Sequence, residues 1–456
     1  MAAHQKEITL LMKIVIAGAG DVGFHLAKLL AQEQQDIVLI DTNQEVLDYA
    51  QTHIDVLGQK GDSTSIKVLN DARVPQADLV LAMTTSENDN IVTAILAKKL
   101  GAKQTVARVN NPEYLSDDQK AIFRELGIDK LISPVEFATQ EIERLIEHCE
   151  ATDNFEFENG AATLVGVTLD DSSSFINRSI HEIDHVAAVP FTPVAILRKD
   201  MTILPRANTV LQRNDHLYFL ANKKDLNAVL KETGKQLHKI SKVMIVGGSD
   251  LAIRTAKKLE KKYKVTVVAQ EKAKCKKMTE QLDKALIIKG DPSNIELLRE
   301  EGLVEMDAFI ALTKNSETNI ITSLMAEDLG VFKTVALVDN IDYTHISQNI
   351  GIDTLINKKL IAANNIFRFV RKGKVEAITS LHGVDAEVIE YLVHKNNRTI
   401  KKPLRELHFP QNAIIGSVIR NGENMIPDGN FQLQLDDKVI IFAMPDAIHK
   451  VEELFR

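Results

Sequence analysis

Residues 13–41 read KIVIAGAGDVGFHLAKLLAQEQQDIVLID and decide the fold. The apolar run Ile14–Ala17 predicts a buried strand, which enters a G-x-G-x-x-G turn at 18–23 and continues with helical spacing. A second apolar run, Ile37–Ile40, ends in Asp41, which lies 18 residues after the last glycine. This order of strand, glycine-rich turn, helix, strand and acid is typical of a dinucleotide-binding βαβ unit.

Each residue type in this stretch has a chemical reason to be there. The first glycine permits the tight turn, the second lets a pyrophosphate approach the backbone, and the third lets the helix pack close to the strand. The helix N-terminus offers free N–H groups to the phosphates, and a terminal carboxylate accepts from a ribose diol. The residues predicted to bind are Gly18, Gly20, Asp21, Val22, Gly23 and Asp41. The alternative is a tight glycine turn without a ligand.

Composition narrows the classes of protein. A length of 456 residues predicts about three or four domains, and 45% hydrophobic with 26% charged residues is typical of a soluble globular chain. A formal charge of −8 argues against a sequence-independent nucleic-acid binder, which needs a basic surface. No apolar run approaches the ~18 residues of a membrane span.

The first eleven residues and the two cysteines indicate in which cellular compartment the protein folds. Residues 1–11 lack the basic and apolar regions of a signal peptide, so we interpret them as an extension, and translation starts at Met1 or Met12. The two cysteines, Cys149 and Cys275, are far apart and flanked by charges, which favours free thiols in a reducing cytosol.

The chain repeats itself. Residues 242–252 restart the opening pattern, with Gly247 lying 229 residues after Gly18. The same offset relates Gly61-Asp62 to Gly290-Asp291, Thr84 to Thr313, Asn90 to Asn319 and Tyr114 to Tyr343. Self-similarity at a fixed offset over such a length marks a duplicated unit.

Each unit predicts two lobes. Short apolar strands alternate with amphipathic helices in the first lobe, which predicts an α/β fold with a doubly wound parallel sheet of the Rossmann type. The strands predicted for the first unit are Ile14–Ala17, Ile37–Ile40, Val56–Gln59, Leu79–Ala82, Thr105–Val109 and Lys130–Ile132, with helices over Asp89–Leu100 and Ser116–Leu126. The second lobe is a small α+β module, interpreted as a packing or dimerising unit, with a second ligand pocket as the alternative.

These patterns give the domain boundaries. We predict an N-terminal extension (1–11), a first Rossmann-type lobe (12–134), a linker helix (135–152), a first C-terminal lobe (153–235), a second Rossmann-type lobe (241–365) and a second C-terminal lobe (375–456). The two C-terminal lobes also pair by sequence, since Asp437 follows Asp215 by 222 residues.

Polar residues follow the later strands of the first lobe. Asp62 comes after the third strand, Thr84 and Thr85 after the fourth, and Arg108 lies in the fifth, at the edge where open α/β sheets bind ligands. An arginine fork at this edge can neutralise a phosphate. The alternatives are a helix cap for Asp62, a turn closed by the threonines and a surface ion pair for Arg108. Asn90 is expected to satisfy loop backbone groups.

Together these residues resemble one family from Met12 to Arg456. The chain is similar to the TrkA family, the peripheral subunits of bacterial Trk potassium-uptake systems, which consist of two tandem RCK units. The motifs that carry the resemblance are GAGDVG at 18–23, Asp41, GD at 61–62, TTSENDNI at 84–91, ARVNNPEY at 107–114 and LRKDMTILP at 197–205.

The resemblance implies a regulator rather than an enzyme. It implies a homotetrameric ring, cytoplasmic and peripheral to the inner face of the membrane, beneath an integral membrane Trk potassium channel subunit. It also implies that NAD(H), with ATP or ADP as alternatives, changes the ring shape and the gate. The loop glycines, Asp41, Asp62, Thr84 and Arg108 fall on ligand-contacting positions of that family.

The two halves are not equal. In the second half, Ser249 stands at the position of Gly20, Ala269 at that of Asp41 and Leu337 at that of Arg108. We therefore predict that the second Rossmann-type lobe binds nucleotide weakly or not at all. The opposing interpretation is that Glu271 replaces the missing ribose acceptor after a small register shift.

A nicotinamide-dependent oxidoreductase is the alternative function, because the same fingerprint serves dehydrogenases. Such an enzyme needs a proton donor in a substrate lobe. The first C-terminal lobe is short, and its histidines, His181 and His185, stand among acids in a pattern that favours ion pairs over catalysis.

Overall fold

The computed structural model describes residues 12–32, 35–147, 153–199, 201–234, 238–340, 354–371, 377–380, 384, 386–394, 399 and 402–455. The predicted extension 1–11, Cys149 and Tyr343 lie outside the described residues. The chain divides into two compact units. One contains the residues up to Gln140 together with Asn357–Phe367, and the other contains Glu141–Ile356 together with the residues from Arg368.

The first Rossmann-type lobe contains a parallel sheet with the strand order β3-β2-β1-β4-β5-β6. Its strands are β1 (Lys13–Ala17), β2 (Asp36–Asp41), β3 (Leu57–Lys60), β4 (Leu79–Ala82), β5 (Gln104–Arg108) and β6 (Lys130–Ile132). Its helices are α1 (Asp21–Gln32), α2 (Gln44–His53), α3 (Ile66–Asp71), α4 (Glu87–Leu100), α5 (Asp117–Glu125) and α6 (Pro134–Glu147). The order reverses between β1 and β4, which is where doubly wound sheets bind ligands. Each predicted strand and helix of this lobe is confirmed within about three residues at its described ends.

The register brings the ends of three strands to one level. Ala17 at the end of β1 pairs with Ile40 in β2 on one side and with Ala82 in β4 on the other. The four last residues of β1 are buried, as expected for a central strand covered on both faces. The loops that follow β1, β2 and β4 therefore meet at the carboxyl edge of the sheet.

The first C-terminal lobe contains an antiparallel sheet with the order β10-β9-β11-β8-β7. Its strands are β7 (Asp153–Phe157), β8 (Ala162–Thr168), β9 (Phe191–Arg198), β10 (Met201–Ile203) and β11 (His216–Ala221), and its helices are α7 (Ile180–Val186) and α8 (Leu226–Glu232).

The second half repeats this plan. Its Rossmann-type sheet has the order β14-β13-β12-β15-β16-β17, from β12 (Lys242–Val246), β13 (Lys264–Ala269), β14 (Leu286–Lys289), β15 (Ala308–Ala311), β16 (Lys333–Leu337) and β17 (Thr354–Ile356). Its helices are α9 (Asp250–Leu259), α10 (Lys272–Gln281), α11 (Ile295–Glu300), α12 (Ser316–Asp328) and α13 (Lys358–Arg371). The last lobe has β18 (Ala377–Ser380), β19 (Glu387–Leu392), β20 (Ala413–Arg420), β21 (Glu423–Met425) and β22 (Lys438–Ala443), in the order β18-β19-β22-β20-β21, followed by α14 (Pro445–Phe455).

The two C-terminal lobes share one core. Val194 and Leu220 of the first lobe pack with Ile419 and Phe442 of the second in a single buried cluster. A Cβ added at Gly416 would lie 2.6 Å from Leu220 Cδ1 and 2.9 Å from Val194 Cγ1. The sheets therefore approach so closely that one of them needs a glycine at the contact.

The repeated arginine and aspartate of these lobes form matching buried ion pairs. Arg198 donates from Nε to Asp215 Oδ1 at 2.7 Å, and Arg420 donates from Nε to Asp437 Oδ1 at 2.8 Å. Both aspartates are fully buried. This part of the repeat is therefore structural, because each carboxylate has its charge partner within its own lobe.

Among the described residues, no helix is both long enough and apolar enough to span a membrane.

Candidate functional site

The glycine loop connects β1 to α1 at the carboxyl edge of the first sheet. Gly18 has a φ of +98°, and a Cβ there would lie 2.8 Å from the backbone N of Thr84. A Cβ at Gly23 would lie 1.9 Å from the carbonyl oxygen of Gly18. The fold itself therefore requires glycine at these two positions.

Gly20 is different. It is exposed, and among the described residues no atom outside its chain neighbours lies within 4 Å of where its Cβ would be. Neither its φ nor its neighbours demand glycine, so the open space in front of its backbone is the feature that a side chain would remove. That space is where the fingerprint places a pyrophosphate.

Asp41 lies at the end of β2 beside this loop. Its Oδ2 accepts a hydrogen bond from Ala19 N at 2.8 Å, and its Oδ1 accepts one from Asn43 N at 2.9 Å. A carboxylate has about four acceptor positions, so two more hydrogen bonds can be accepted. Asp41 thus holds the glycine loop in place and retains capacity for a ribose diol.

Two cations lie near Asp21, the first residue of α1. Lys359 Nζ pairs with Asp21 Oδ2 at 2.6 Å. Arg108, at the end of β5, is partly buried, and its buried Nε has no hydrogen-bond partner among the described residues. Burial lowers the pKa of Arg108, and the charge of Asp21 acts in the opposite direction. A buried, unsatisfied guanidinium N–H at this edge is a good partner for a phosphate oxygen.

Thr84 and Asn90 form a closed local network. Asn90 Oδ1 accepts from Thr84 N and from Thr84 Oγ1, both at 2.8 Å, and Asn90 Nδ2 donates to the carbonyl oxygens of Thr84 and Arg108 at 3.0 Å. Asn90 therefore satisfies loop backbone groups, as expected. Thr84 closes the turn after β4, whereas Thr85 is exposed.

Asp62 holds the turn after β3. Its Oδ1 accepts from Thr64 N and Thr64 Oγ1, both at 2.8 Å, and these bonds lower its pKa. Ser65 occupies the N-cap position of α3, although its side chain makes no capping hydrogen bond, so the alternative of Asp62 as the helix cap is wrong. Asp291 makes the same bonds to Ser293 in the second half, which indicates a turn-forming role at both positions.

The register of the second sheet fixes which residues correspond. Val246 pairs with Val268 as Ala17 pairs with Ile40, so Ala269 occupies the position of Asp41. Ala311 pairs with Ala336 as Ala82 pairs with Ala107, which places Leu337 at the position of Arg108. The second sheet therefore lacks the carboxylate and the guanidinium at these two points.

The other two differences are also local. Ser249, at the position of Gly20, caps α9 by accepting from Ala252 N at 3.2 Å. Glu271 lies just before α10 and pairs with Lys274 at 2.5 Å. Since Asn43 precedes α2 in the same way, Glu271 corresponds to that residue and not to Asp41.

Sequence reasoning missed Lys359. It lies in the first turn of α13, far along the chain from the residues it approaches, and belongs to no motif. Its counterpart in the first half is Val135, because Ile356 ends β17 where Ile132 ends β6. The only signal in the sequence was a lysine pair at the start of a helix, where cations are electrostatically disfavoured.

Other candidate features give weaker sites. A cavity of about 410 Å³ lined by Lys13, Asp36 and Leu57 lies at the amino ends of the first sheet, opposite the edge where such folds bind ligands. The ring of His181 contacts the ring of His185, while Glu182 between them completes a capping box with Ser179. No cluster of three metal-ligating side chains occurs among the described residues.

Comparison with protein families gives two domain models in tandem. The TrkA-N domain matches residues 14–134 and 243–358, and the TrkA-C domain matches 164–234 and 388–456. "Trk system potassium uptake protein TrkA homolog 1" of Methanosarcina mazei is 30% identical, over 98% of this chain and 100% of its own length. "Trk system potassium uptake protein TrkA" of Halomonas elongata is 31% identical, over 98% of this chain and 99% of its own length.

Solved structures share the fold at lower identity. The GsuK channel covers 98% of this chain and 79% of its own chain, with a TM-score of 0.61 and 16% identity. The structure of the GsuK RCK domain covers 98% and 96%, with the same TM-score and identity. A GsuK channel bound to NAD has a TM-score of 0.60.

Proposed function

Since the chain belongs to the TrkA family of Trk potassium-uptake proteins, we propose that it is a nucleotide-sensing regulatory subunit that binds its ligand in the first Rossmann-type lobe. The observation that carries this proposal is the open backbone at Gly20, with Asp41 on one side and the unsatisfied Arg108 Nε on the other. Those three groups match the pyrophosphate, the ribose and a phosphate charge.

NAD(H) is the proposed ligand, with ATP or ADP as alternatives. A carboxylate at the end of the second strand suits the free ribose diol of NAD and repels the 2′-phosphate of NADP. A structure with the same fold, the GsuK channel, has been solved with NAD. ATP and ADP contain the same adenosine ribose, so the carboxylate of Asp41 can accept hydrogen bonds from them in the same way.

The proposed partner is the integral membrane potassium channel subunit of the Trk system. The two relatives named above match this chain over nearly all of their own length, and both are named as Trk system potassium uptake proteins. We place this chain at the cytoplasmic face of the membrane, as a homotetrameric ring. A ligand can move the gate only by binding one ring state more tightly than the other, so the differential affinity is the quantity that matters.

An oxidoreductase remains the competing function. Its proton donor would come from His181 or His185, but Glu182 beside them is already used to cap α7. The similar proteins are named as uptake proteins rather than enzymes. A turnover assay with NADH and simple carbonyl substrates separates the two, because a regulator leaves the NADH absorbance unchanged.

Calorimetry on the full chain tests the proposal. NADH, NAD, ATP and ADP are titrated into the wild type, Asp41→Ala and Asp36→Ala, the last being a matched carboxylate at the opposite end of β2. We expect binding to the wild type and to Asp36→Ala, with at least tenfold weaker binding to Asp41→Ala. Absence of binding to the wild type would reject nucleotide sensing.

Two further measurements test assembly and gating. Light scattering should give four times the chain mass of 50.7 kDa. Potassium flux into vesicles that contain the Trk membrane subunit should change when this protein is added and change again with nucleotide. A potassium flux that is the same with and without nucleotide would overturn the gating part of the proposal.

A further inference from the structure

The second half of the chain supplies a cation to the glycine loop of the first. Lys359 lies in the first turn of α13 and pairs with Asp21 at 2.6 Å. A lysine in the first turn of a helix is opposed by the helix dipole, so its own helix gives no reason for the charge. Asp21 lies in the first turn of α1 and borders the open backbone at Gly20.

The duplicated loop lacks this arrangement. Asp250, the counterpart of Asp21, pairs at 3.1 Å with Lys277, which lies on α10 of the same lobe. The counterpart of Lys359 is the uncharged Val135. A cation from the second half therefore lies at the loop that keeps Gly20, Asp41 and Arg108, whereas the corresponding residue of the first half, Val135, is uncharged.

We propose that Lys359 is a phosphate-binding residue of the nucleotide site in the first Rossmann-type lobe and that it releases Asp21 when the ligand binds. This inference rests on the proposed function. A bound phosphate brings negative charge to the N-terminus of α1, where the carboxylate of Asp21 already stands. Lys359 and Arg108 are both cations that interact with that carboxylate among the described residues, so a phosphate chain recruits both and leaves Asp21 to solvent.

The arrangement predicts which ligands gain most. Asp21 has a 70% exposed side chain and can turn away at little cost, whereas Lys359 is only 24% exposed and stays at the loop. A terminal phosphate carries more charge than a pyrophosphate that is esterified at both ends. Lys359 therefore favours ATP and ADP over NADH and makes the site sensitive to the number of free phosphate charges.

Charge variants of the full chain test this role. Calorimetry with ATP, ADP and NADH compares the wild type with Lys359→Met, Lys359→Arg and Asp21→Asn. Lys277→Met is the matched control, because it removes the same charge from the equivalent pair in the second lobe. We expect Lys359→Met to weaken ATP about tenfold and NADH less. Lys359→Arg should retain most of the affinity, Asp21→Asn should bind ATP more tightly, and Lys277→Met should match the wild type.

The outcomes separate this inference from the function on which it rests. If the wild type binds ATP or ADP and Lys359→Met binds equally well, Lys359 is not a phosphate ligand. The same conclusion follows if Lys277→Met weakens ATP as much as Lys359→Met does. If the wild type binds none of the three nucleotides, the proposed function fails and this inference fails with it.

Discussion

Among single residues, Gly20 separates the demands of folding from those of binding. In the part of the chain that the structure describes, no atom beyond its chain neighbours comes within 4 Å of the position of its Cβ, and the second half places Ser249 there as a helix cap. We therefore predict that Gly20→Ser leaves the free energy of unfolding unchanged or raises it by up to about 1 kcal/mol. Nucleotide affinity should fall at least tenfold, since the hydroxymethyl group occupies the pyrophosphate space. Urea unfolding and calorimetry measure the two quantities.

Gly23 provides the contrast. An alanine there would place its Cβ 1.9 Å from the carbonyl oxygen of Gly18, so Gly23→Ala should lose stability and affinity together. Equal stability losses in Gly20→Ser and Gly23→Ala would contradict the distinction between the two glycines.

Under the proposed function, Asp41 is the residue expected to distinguish the two nicotinamide dinucleotides. We predict that the wild type binds NADH at least tenfold more tightly than NADPH, because the 2′-phosphate meets this carboxylate. Asp41→Asn keeps one acceptor for the loop N–H groups and removes the charge, so the preference should shrink towards unity. A preference that is unchanged in Asp41→Asn would show that the carboxylate does not face the ribose.

The sequence identified the residues whose roles depend on local order and missed the one that depends on a distant contact. Gly18, Gly23 and Asp41 follow from a pattern within one βαβ unit, and the structure gives each a defined contact. Asp62 was harder, since an acid after a strand suits a cap, a turn or a ligand equally well. Lys359 approaches Asp21 only through the tertiary fold.

At the scale of elements, α1 should be sensitive to acid. Burial, helped by the charge of Lys28, lowers the pKa of His25 to about 4. The unfolded chain takes up this proton near pH 6.5, whereas the folded chain does so only near pH 4, so stability is full above pH 6.5 and falls as the pH drops. We predict a loss of about 2 kcal/mol between roughly pH 7.5 and 5 that His25→Gln abolishes.

Urea unfolding near both pH values measures this effect. Replacing the exposed His53 on α2 by glutamine is the control, since that variant should lose stability as the wild type does. An identical pH dependence in His25→Gln and the wild type would show that other groups cause the acid sensitivity.

The paired C-terminal sheets depend on Gly416. Valine there would overlap Val194 and Leu220, so Gly416→Val should destabilise the shared core by about 1–3 kcal/mol. Gly429→Ala is a suitable control, because its Cβ would make an ordinary contact at 3.5 Å. Thermal unfolding distinguishes the two variants, and equal transition temperatures would mean that the sheets can separate slightly without loss.

Strand ends were predictable because buried apolar runs end abruptly at polar loops. Leu79–Ala82 and Lys130–Ile132 match the structure to the residue. The first residues of helices were harder to predict. Helix α4 begins at Glu87 and not at Asp89, since Ser86 caps it by accepting from Asp89 N. Polar first turns carry little hydrophobic periodicity, and the cap is visible only once the turn is known.

For the whole molecule, the two unequal Rossmann-type lobes predict one nucleotide per chain. The second lobe has Ser249, Ala269 and Leu337 where the first has Gly20, Asp41 and Arg108, the residues proposed to bind the nucleotide. Calorimetry on the full chain should therefore give a stoichiometry near one, and Gly20→Ser should weaken that single site at least tenfold. A stoichiometry near two, or a site of unchanged affinity in Gly20→Ser, would show that the second lobe also binds.

The shared core of the C-terminal lobes also has a consequence for how the chain can be divided. An isolated second half would lose the first lobe's Val194 and Leu220 from the cluster that covers Ile419 and Phe442. If the gene were instead split after Gly234 and the two pieces were produced together, that same cluster would join them as a heterodimer. The peptide link between the halves therefore sets their equal number and mutual proximity, while the apolar interface holds the C-terminal lobes together.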